Sequence, residues 1–396
     1  MRPGSVPSNQ TYRLTGALID IIKDSTDVRF NLAWTYGEFL NDAAQRLGTS
    51  EVLDASIMAL VTAHAAICTR RKDRTTALVQ YSNALCTLRR TLDDPVKACH
   101  ANTLCAIVVL LLCQGMNGAE GSRWTGHCEG AAQILRVRGF YNPNDAFERK
   151  ILLCLRGPVL FESMFNERID LSPQEWRLLV DASFREATPE DEMMRCISHL
   201  RDFLRQYRKA RHDQGVLLDL VSELQVHYRT MQGLLADQRE RLGAYEADNA
   251  AHFKSSITTR VHSGYQSAFG VGLVIAIAYN CVLSGLSPDD TGLISDSASF
   301  VADVLDLAKN ACRYRPLGSS YIALCLGAAW VGTMDVNAKL AVERAWDDYG
   351  GDFAPGLEKP PIAELEWTTR QLRLQDADPG QPASPLDLPR FVLGAA

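Results

Sequence analysis

The sequence has no pair of cysteines spaced C-x2-C, and no cysteine at all precedes Cys68. That excludes the close thiolate pairs that clasp a structural zinc ion. It has no P-loop to cradle phosphates and no Gly-x-Ser-x-Gly elbow to present a nucleophile. Gly270-Val-Gly272 lacks the third glycine of a dinucleotide-binding turn and lies in a helical pattern. No polar–apolar alternation of the strand type persists anywhere, and nothing repeats at a fixed period. The opening residues, Met1-Arg-Pro-Gly-Ser-Val-Pro-Ser, carry no apolar core, so they read as no secretory signal. Positive charge is also scarce. Lysine and arginine number 41 against 47 acids, a formal net charge of −6, which argues against the clustered positive field that direct nucleic-acid binding needs.

What is present is apolar and helical. Hydrophobic residues make up 46% of 396 residues, enough for a sizeable core. The eleven cysteines are an odd number, scattered and mostly set in apolar stretches. They read as buried free thiols of a nuclear or cytoplasmic protein rather than a disulfide framework. Three uncharged runs, 101–119, 263–288 and 316–334, approach the length of a membrane span. Their glycines, serines, Gln266 and Asn280 interrupt them, and the reading is of interior helices with no membrane partner.

The spacing of apolar residues predicts an all-α fold, a multi-helix antiparallel bundle or array with long central uncharged helices. Leu78, Tyr81, Leu85, Leu88 and Leu92 alternate by three and four, so one helix face is apolar. Leu217, Val221, Leu224, Tyr228, Met231, Leu235, Leu242 and Tyr245 extend the same pattern over about 30 residues, broken only at Gln238. That helix is expected as a strut of an intramolecular bundle, with a coiled-coil homodimer as the other option. Asp94-Pro95, Ser172-Pro173 and Thr188-Pro189 mark helix starts. Gly157-Pro158 is expected to kink or break the helix that starts near Asp145. Residues 1–28 read as a loose N-terminal arm with a short helix around Leu14 to Lys23, 29–376 as one helical domain, and 377–396 as an irregular tail.

The most specific stretch is Trp124-Thr-Gly-His-Cys-Glu-Gly-Ala-Ala-Gln-Ile-Leu-Arg-Val-Arg-Gly139. Ala131, Ile134 and Leu135 form an apolar stripe, and Arg136 and Arg138 suit the negative end of the helix dipole. Gly139 is placed to end the helix in the left-handed conformation. The order of Trp124, His127, Gly130, Ala131, Arg138 and Gly139 resembles the signature in the regulatory domain of fungal zinc-cluster transcription factors. The preceding Tyr81 helix, the acidic turn Asp93-Asp-Pro95, the apolar stretch from Thr103 to Cys113 and the later Ile169-Asp-Leu-Ser-Pro-Gln-Glu-Trp176 follow the same family order. The resemblance covers roughly residues 30 to 190. It implies a regulatory domain, here without the six-cysteine DNA-binding module of that family.

Constellations for chemistry are few. His64 and Cys68 share a helix face, and Cys99-His100 and His127-Cys128 are adjacent, but none has the spacing of a structural zinc site; no metal and no cofactor are expected. The basic groups Arg70, Arg71, Lys72 and Arg74, and Arg201, Arg205, Arg208, Lys209 and Arg211, read as solvated faces or a surface for an acidic partner. Polar residues inside the uncharged runs are the pocket candidates: Tyr265, Gln266, Tyr279, Asn280, Ser320, Tyr321 and Trp330, with Trp124 and His127 in support. The expected function is a regulator that binds a hydrophobic metabolite or a partner regulator in fungal secondary metabolism. The rival expectation is a cofactor-independent biosynthetic enzyme, a cyclase, pericyclase or isomerase, that uses the apolar pocket to fold its substrate.

Overall fold

The computed structural model describes residues 9–24, 26–69, 75–117, 121–139, 145–181, 188–210, 213–249, 255–350, 352 and 362–375. Among them no strand occurs, and the fold is an all-α array of seventeen packed helices. The basic stretch 70–74, Arg211 and the residues from 376 onward lie outside the described residues.

The first part of the array holds α1 (Asn9–Ile19), α2 (Leu32–Tyr36), α3 (Phe39–Arg46), α4 (Glu51–Cys68), α5 (Thr75–Leu92), α6 (Pro95–Ala98), α7 (Ala101–Asn117) and α8 (Gly121–Val137). It continues with α9 (Ala146–Ser163), α10 (Pro173–Val180) and α11 (Pro189–Lys209). α7 is its axis. Sixteen of its residues, Ala101 to Gln114 with Met116 and Asn117, are buried, because α4, α5, α8 and α9 surround it. The stretch read as a loose arm instead docks: Leu14, Leu18 and Ile22, four apart, are buried, and α1 packs on α3 and α4.

The second part holds α12 (Gln214–Asn249), α13 (Ser256–Leu286), α14 (Thr291–Ala311), α15 (Ile322–Gly332), α16 (Val336–Gly350) and α17 (Ile362–Leu372). α12 is the expected strut. It lies along α13 and α11, and Gln238, the break in its apolar stripe, is itself buried on that face. α13 is apolar enough by length and composition to cross a membrane, as is α4, but 89% of its apolar window is buried inside the fold. That is the pattern of a core helix.

Local chemistry sets the helix ends. Asp94 accepts from the Val96 and Lys97 amides ahead of α6, with Pro95 at the first helical position. Ser172 with Glu175, and Thr188 with Asp191, form reciprocal capping boxes at α10 and α11. Gly139 follows α8 at φ +76°, in the left-handed region. Gly157-Pro158 does not break α9, which runs unbroken from the Asp145 cap to Ser163. Burial of Ile151, Leu155, Val159 and Leu160 on its core faces outweighs one missing hydrogen bond.

Two glycines in α13 allow close packing. A Cβ at Gly270 would lie 2.9 Å from the Tyr321 ring on the α15 side. One at Gly285 would lie 2.2 Å from the backbone oxygen of Arg373, just past α17. No rotamer change relieves the second clash.

Candidate functional site

A cavity of about 470 Å³ opens where five segments meet. α2 and the turn into α3 supply Trp34, Thr35, Gly37 and Glu38; the middle of α9 supplies Leu153, Cys154, Arg156, Gly157, Pro158 and Phe161. The first turns of α11 supply Met193 and Met194, the first half of α13 supplies Ser263, Gly264, Ser267, Ala268 and Val271, and the turn before α15 supplies Ser320 and Tyr321. Its volume falls in the range of small-molecule sites, and its wall is mostly apolar with a few polar groups.

The α13 wall is made of small residues, so that helix leaves space where a leucine would fill it. Pro158 has no amide hydrogen, and the Cys154 carbonyl one turn before it therefore lacks its usual helical donor. Tyr321 is 4% exposed, and its hydroxyl has no hydrogen-bond partner among the described residues. Burial raises its pKa well above the ordinary phenol value, so it stays a hydroxyl. Burial also pushes the Cys154 thiol up to about 12, and the thiol sits 3.5 Å from the Tyr36 carbonyl. Tyr36 is bonded to the Ser320 side chain and raised to about 12, again by burial. The Ser263 hydroxyl donates to the Gly318 carbonyl at 2.9 Å and so ties α13 to the turn before α15.

Charge is arranged in pairs around the wall. Lys150 meets Asp42 at 2.8 Å, and Arg156 pairs with the fully buried Asp191. Arg260 is different. It meets Glu38 at 3.5 Å with both side chains about half exposed, and its guanidinium lies 5.1 Å from the Trp34 ring centroid. An exposed pair of this kind holds weakly, at about 0–1 kcal/mol, so Arg260 can exchange Glu38 for an anionic group.

Of the seven residues singled out in the sequence, Ser320 and Tyr321 line the cavity and the others do not. Gln266 is buried nearby on α13, and its side-chain oxygen is unpartnered among the described residues. Tyr279 donates its hydroxyl to the Cys196 carbonyl at 2.7 Å, and Asn280 donates to the Leu293 carbonyl at 2.9 Å and the Tyr228 hydroxyl at 3.2 Å. Trp330 donates to Glu343 at 2.9 Å, with Lys339 over its ring. Tyr265, partly exposed, packs on Tyr245. These four residues bind helices together.

The signature residues lie elsewhere. His127 Nε2 is 3.0 Å from the Tyr81 hydroxyl, which pins α8 to α5. Ala131 is buried, Gly130 is a partly exposed position of α8, and Arg138 forms a buried ion pair with Glu148 of α9. Trp124 belongs to α8, but its side chain lies outside the described residues. His64 bonds the Phe30 carbonyl at 2.8 Å and is held below its usual pKa by burial, which fits a neutral structural ring.

Sequence reasoning missed the α2, α9 and α11 contributions to the wall. One signal was available: a proline followed by unbroken apolar periodicity marks a carbonyl without its donor. No protein-family model matches this chain, and neither a curated protein nor a solved structure does.

Proposed function

We propose that this chain is a helical ligand-binding domain of the kind that regulates transcription in fungal zinc-cluster factors. The cavity holds a hydrophobic metabolite that carries a carbonyl or acidic group. The observation that carries this reading is the apolar cavity of about 470 Å³ that has Tyr321 in its wall, a buried hydroxyl without a partner among the described residues. An unpartnered buried hydroxyl costs about 1–3 kcal/mol, a cost that a ligand acceptor removes once the wall opens to this oxygen, which is closed to solvent and neighbours Cys325, Tyr349 and Tyr314. Arg260 supplies a weakly engaged cation for an acidic end.

The regulatory part of the reading rests on the Trp124–Gly139 resemblance. Five chain segments share the cavity wall, so a ligand that touches all of them prefers the arrangement in which they close around it. That difference in affinity is what shifts a conformational population. The shifted surface then engages a protein partner.

The isomerase form of the enzyme alternative needs a general base that takes a proton from the substrate. Cys154 and Tyr321 do not favour it, since burial keeps both protonated at neutral pH. Orientation alone is what the cavity would contribute to a cyclisation.

The test is a thermal-shift series on the purified chain with aliphatic and aromatic carboxylic acids, beside an Ala268→Trp variant that fills the cavity. A ligand at a hundred times its Kd stabilises the protein by about 2.7 kcal/mol, and the filled variant loses that shift. Equal shifts in both proteins overturn the binding site. Conversion of the added compound by the purified chain replaces the regulator with the enzyme. Transcript and metabolite profiles of a deletion strain separate the two readings in the cell.

A further inference from the structure

A second cleft, of about 90 Å³, opens between α11 and α12 and shares no lining residue with the cavity. His199 of α11 meets Glu223 and His227 of α12 there. One ligand atom from each lies within 4.8 Å of the others. The two imidazole rings stack at 3.8 Å between centroids, 16° from parallel, and His227 Nε2 is 3.7 Å from a Glu223 carboxylate oxygen. Glu223 and His227 are four residues apart, so they stand on one face of α12. The buried Leu220 and Leu224 flank them, and Asp202, three residues after His199, lines the same cleft. Burial, and then the neighbouring His227, hold His199 below its usual pKa against the pull of Glu223 and Asp202.

We propose that His199, Glu223 and His227 form a binding site for one divalent transition-metal ion of the zinc type. Two imidazole nitrogens and one carboxylate oxygen are a donor set that zinc accepts. Calcium and magnesium want six or more oxygens, which this cleft does not supply. Zinc–nitrogen bonds of ~2.0–2.1 Å bring tetrahedral donors to roughly 3.3 Å apart. His199 and Glu223 are exposed side chains, so the His199 ring can rotate out of its stack with His227 to bring both nitrogens and the carboxylate onto one ion. Three protein ligands leave a fourth position for water, and Asp202 stands in the cleft to accept its hydrogen bond. The ion clamps α11 to α12 through groups from both helices, a common way to build metal sites in helical bundles.

The experiment uses the purified full chain, stripped with EDTA and dialysed against buffered zinc. The expected result is one zinc equivalent more than a His199→Ala/His227→Ala double variant retains, with a higher melting temperature for the loaded protein. Circular dichroism of the double variant without zinc confirms its fold. Glu223→Gln keeps the shape and removes the charge, and it weakens binding at least ~10-fold, while Asp202→Asn weakens it by ~10-fold through the outer shell. Cobalt(II) in place of zinc gives visible ligand-field bands without thiolate charge transfer. Equal uptake by wild type and double variant overturns the site. A thiolate band does so too, since it assigns the ion to cysteines such as the exposed Cys86 and Cys312.

Discussion

The two ends of α13 carry similar polar residues to opposite effect. At the C-terminal end, Tyr279 and Asn280 are enclosed, and each finds a partner on a neighbouring helix or turn. At the N-terminal end, Ser263, Gly264, Ser267 and Ala268 leave a void, and Gln266 and nearby Tyr321 keep unpartnered polar atoms among the described residues. The contrast teaches that polar groups inside an apolar helix do not by themselves announce a pocket. A pocket needs small neighbours that leave volume beside the polar group. Where the neighbours are large, the same polar group is a joint between helices.

The largest way to break the contrast is Tyr279→Ala. It removes a fully buried ring and is expected to cost about 3–5 kcal/mol of unfolding free energy in urea. Asn280→Leu comes next. It leaves the Leu293 carbonyl and the Tyr228 hydroxyl each without a donor it now has, a loss on the order of 3 kcal/mol by the same measurement. Tyr321→Phe is the sharpening case. No partner is lost with its hydroxyl, so stability changes by less than about 1 kcal/mol or rises, while the thermal shift caused by a cavity ligand falls. A Tyr321→Phe cost comparable to that of Asn280→Leu would erase the distinction between the two ends.

The smallest effect is a pH dependence at His262, on the open half of α13. Its ring is buried, with Nε2 at 2.7 Å from Glu246 and Nδ1 at 2.6 Å from the Tyr314 hydroxyl. A neutral ring satisfies both contacts: Nε2–H donates to the carboxylate and Nδ1 accepts from the phenol. Burial lowers its pKa from 6.5, and the opposing Glu246 carboxylate is partly exposed and screened. The unfolded chain therefore takes up this proton before the folded one does. The stability His262 contributes is present above about pH 6.5 and is lost as the pH falls toward the depressed folded value. Melting temperature against pH should begin its decline near pH 6.5 in the wild type, and His262→Gln should flatten the first part of that decline.

Much of the fold was legible because it is written in local chemistry. The caps at Asp94, Ser172 and Thr188, the stop at Gly139 and the stripe of α12 depend on near neighbours, and each sits where the spacing puts it. The site was legible only in part. Ser320 and Tyr321 were found because they are polar in an apolar run. Trp34, Met193 and Phe161 were not, since their place on the wall depends on how distant helices meet. His199 and His227 were missed for the same reason: 28 positions apart, they face each other only because α11 and α12 pack together. The break expected at Pro158 does not occur because tertiary burial outweighs the local rule there.

Gly285 carries a practical consequence. Its bare Cα lets the chain just after α17 rest directly on α13, and the Arg373 guanidinium reaches on to the Gly332 carbonyl at the end of α15. The segment 362–375 is thus a latch across a long core helix, 89% of whose apolar window is buried. Any shortened version that stops before it would bare part of that helix to water and would be recovered as aggregate, so expression trials should keep the chain at least through Gln375.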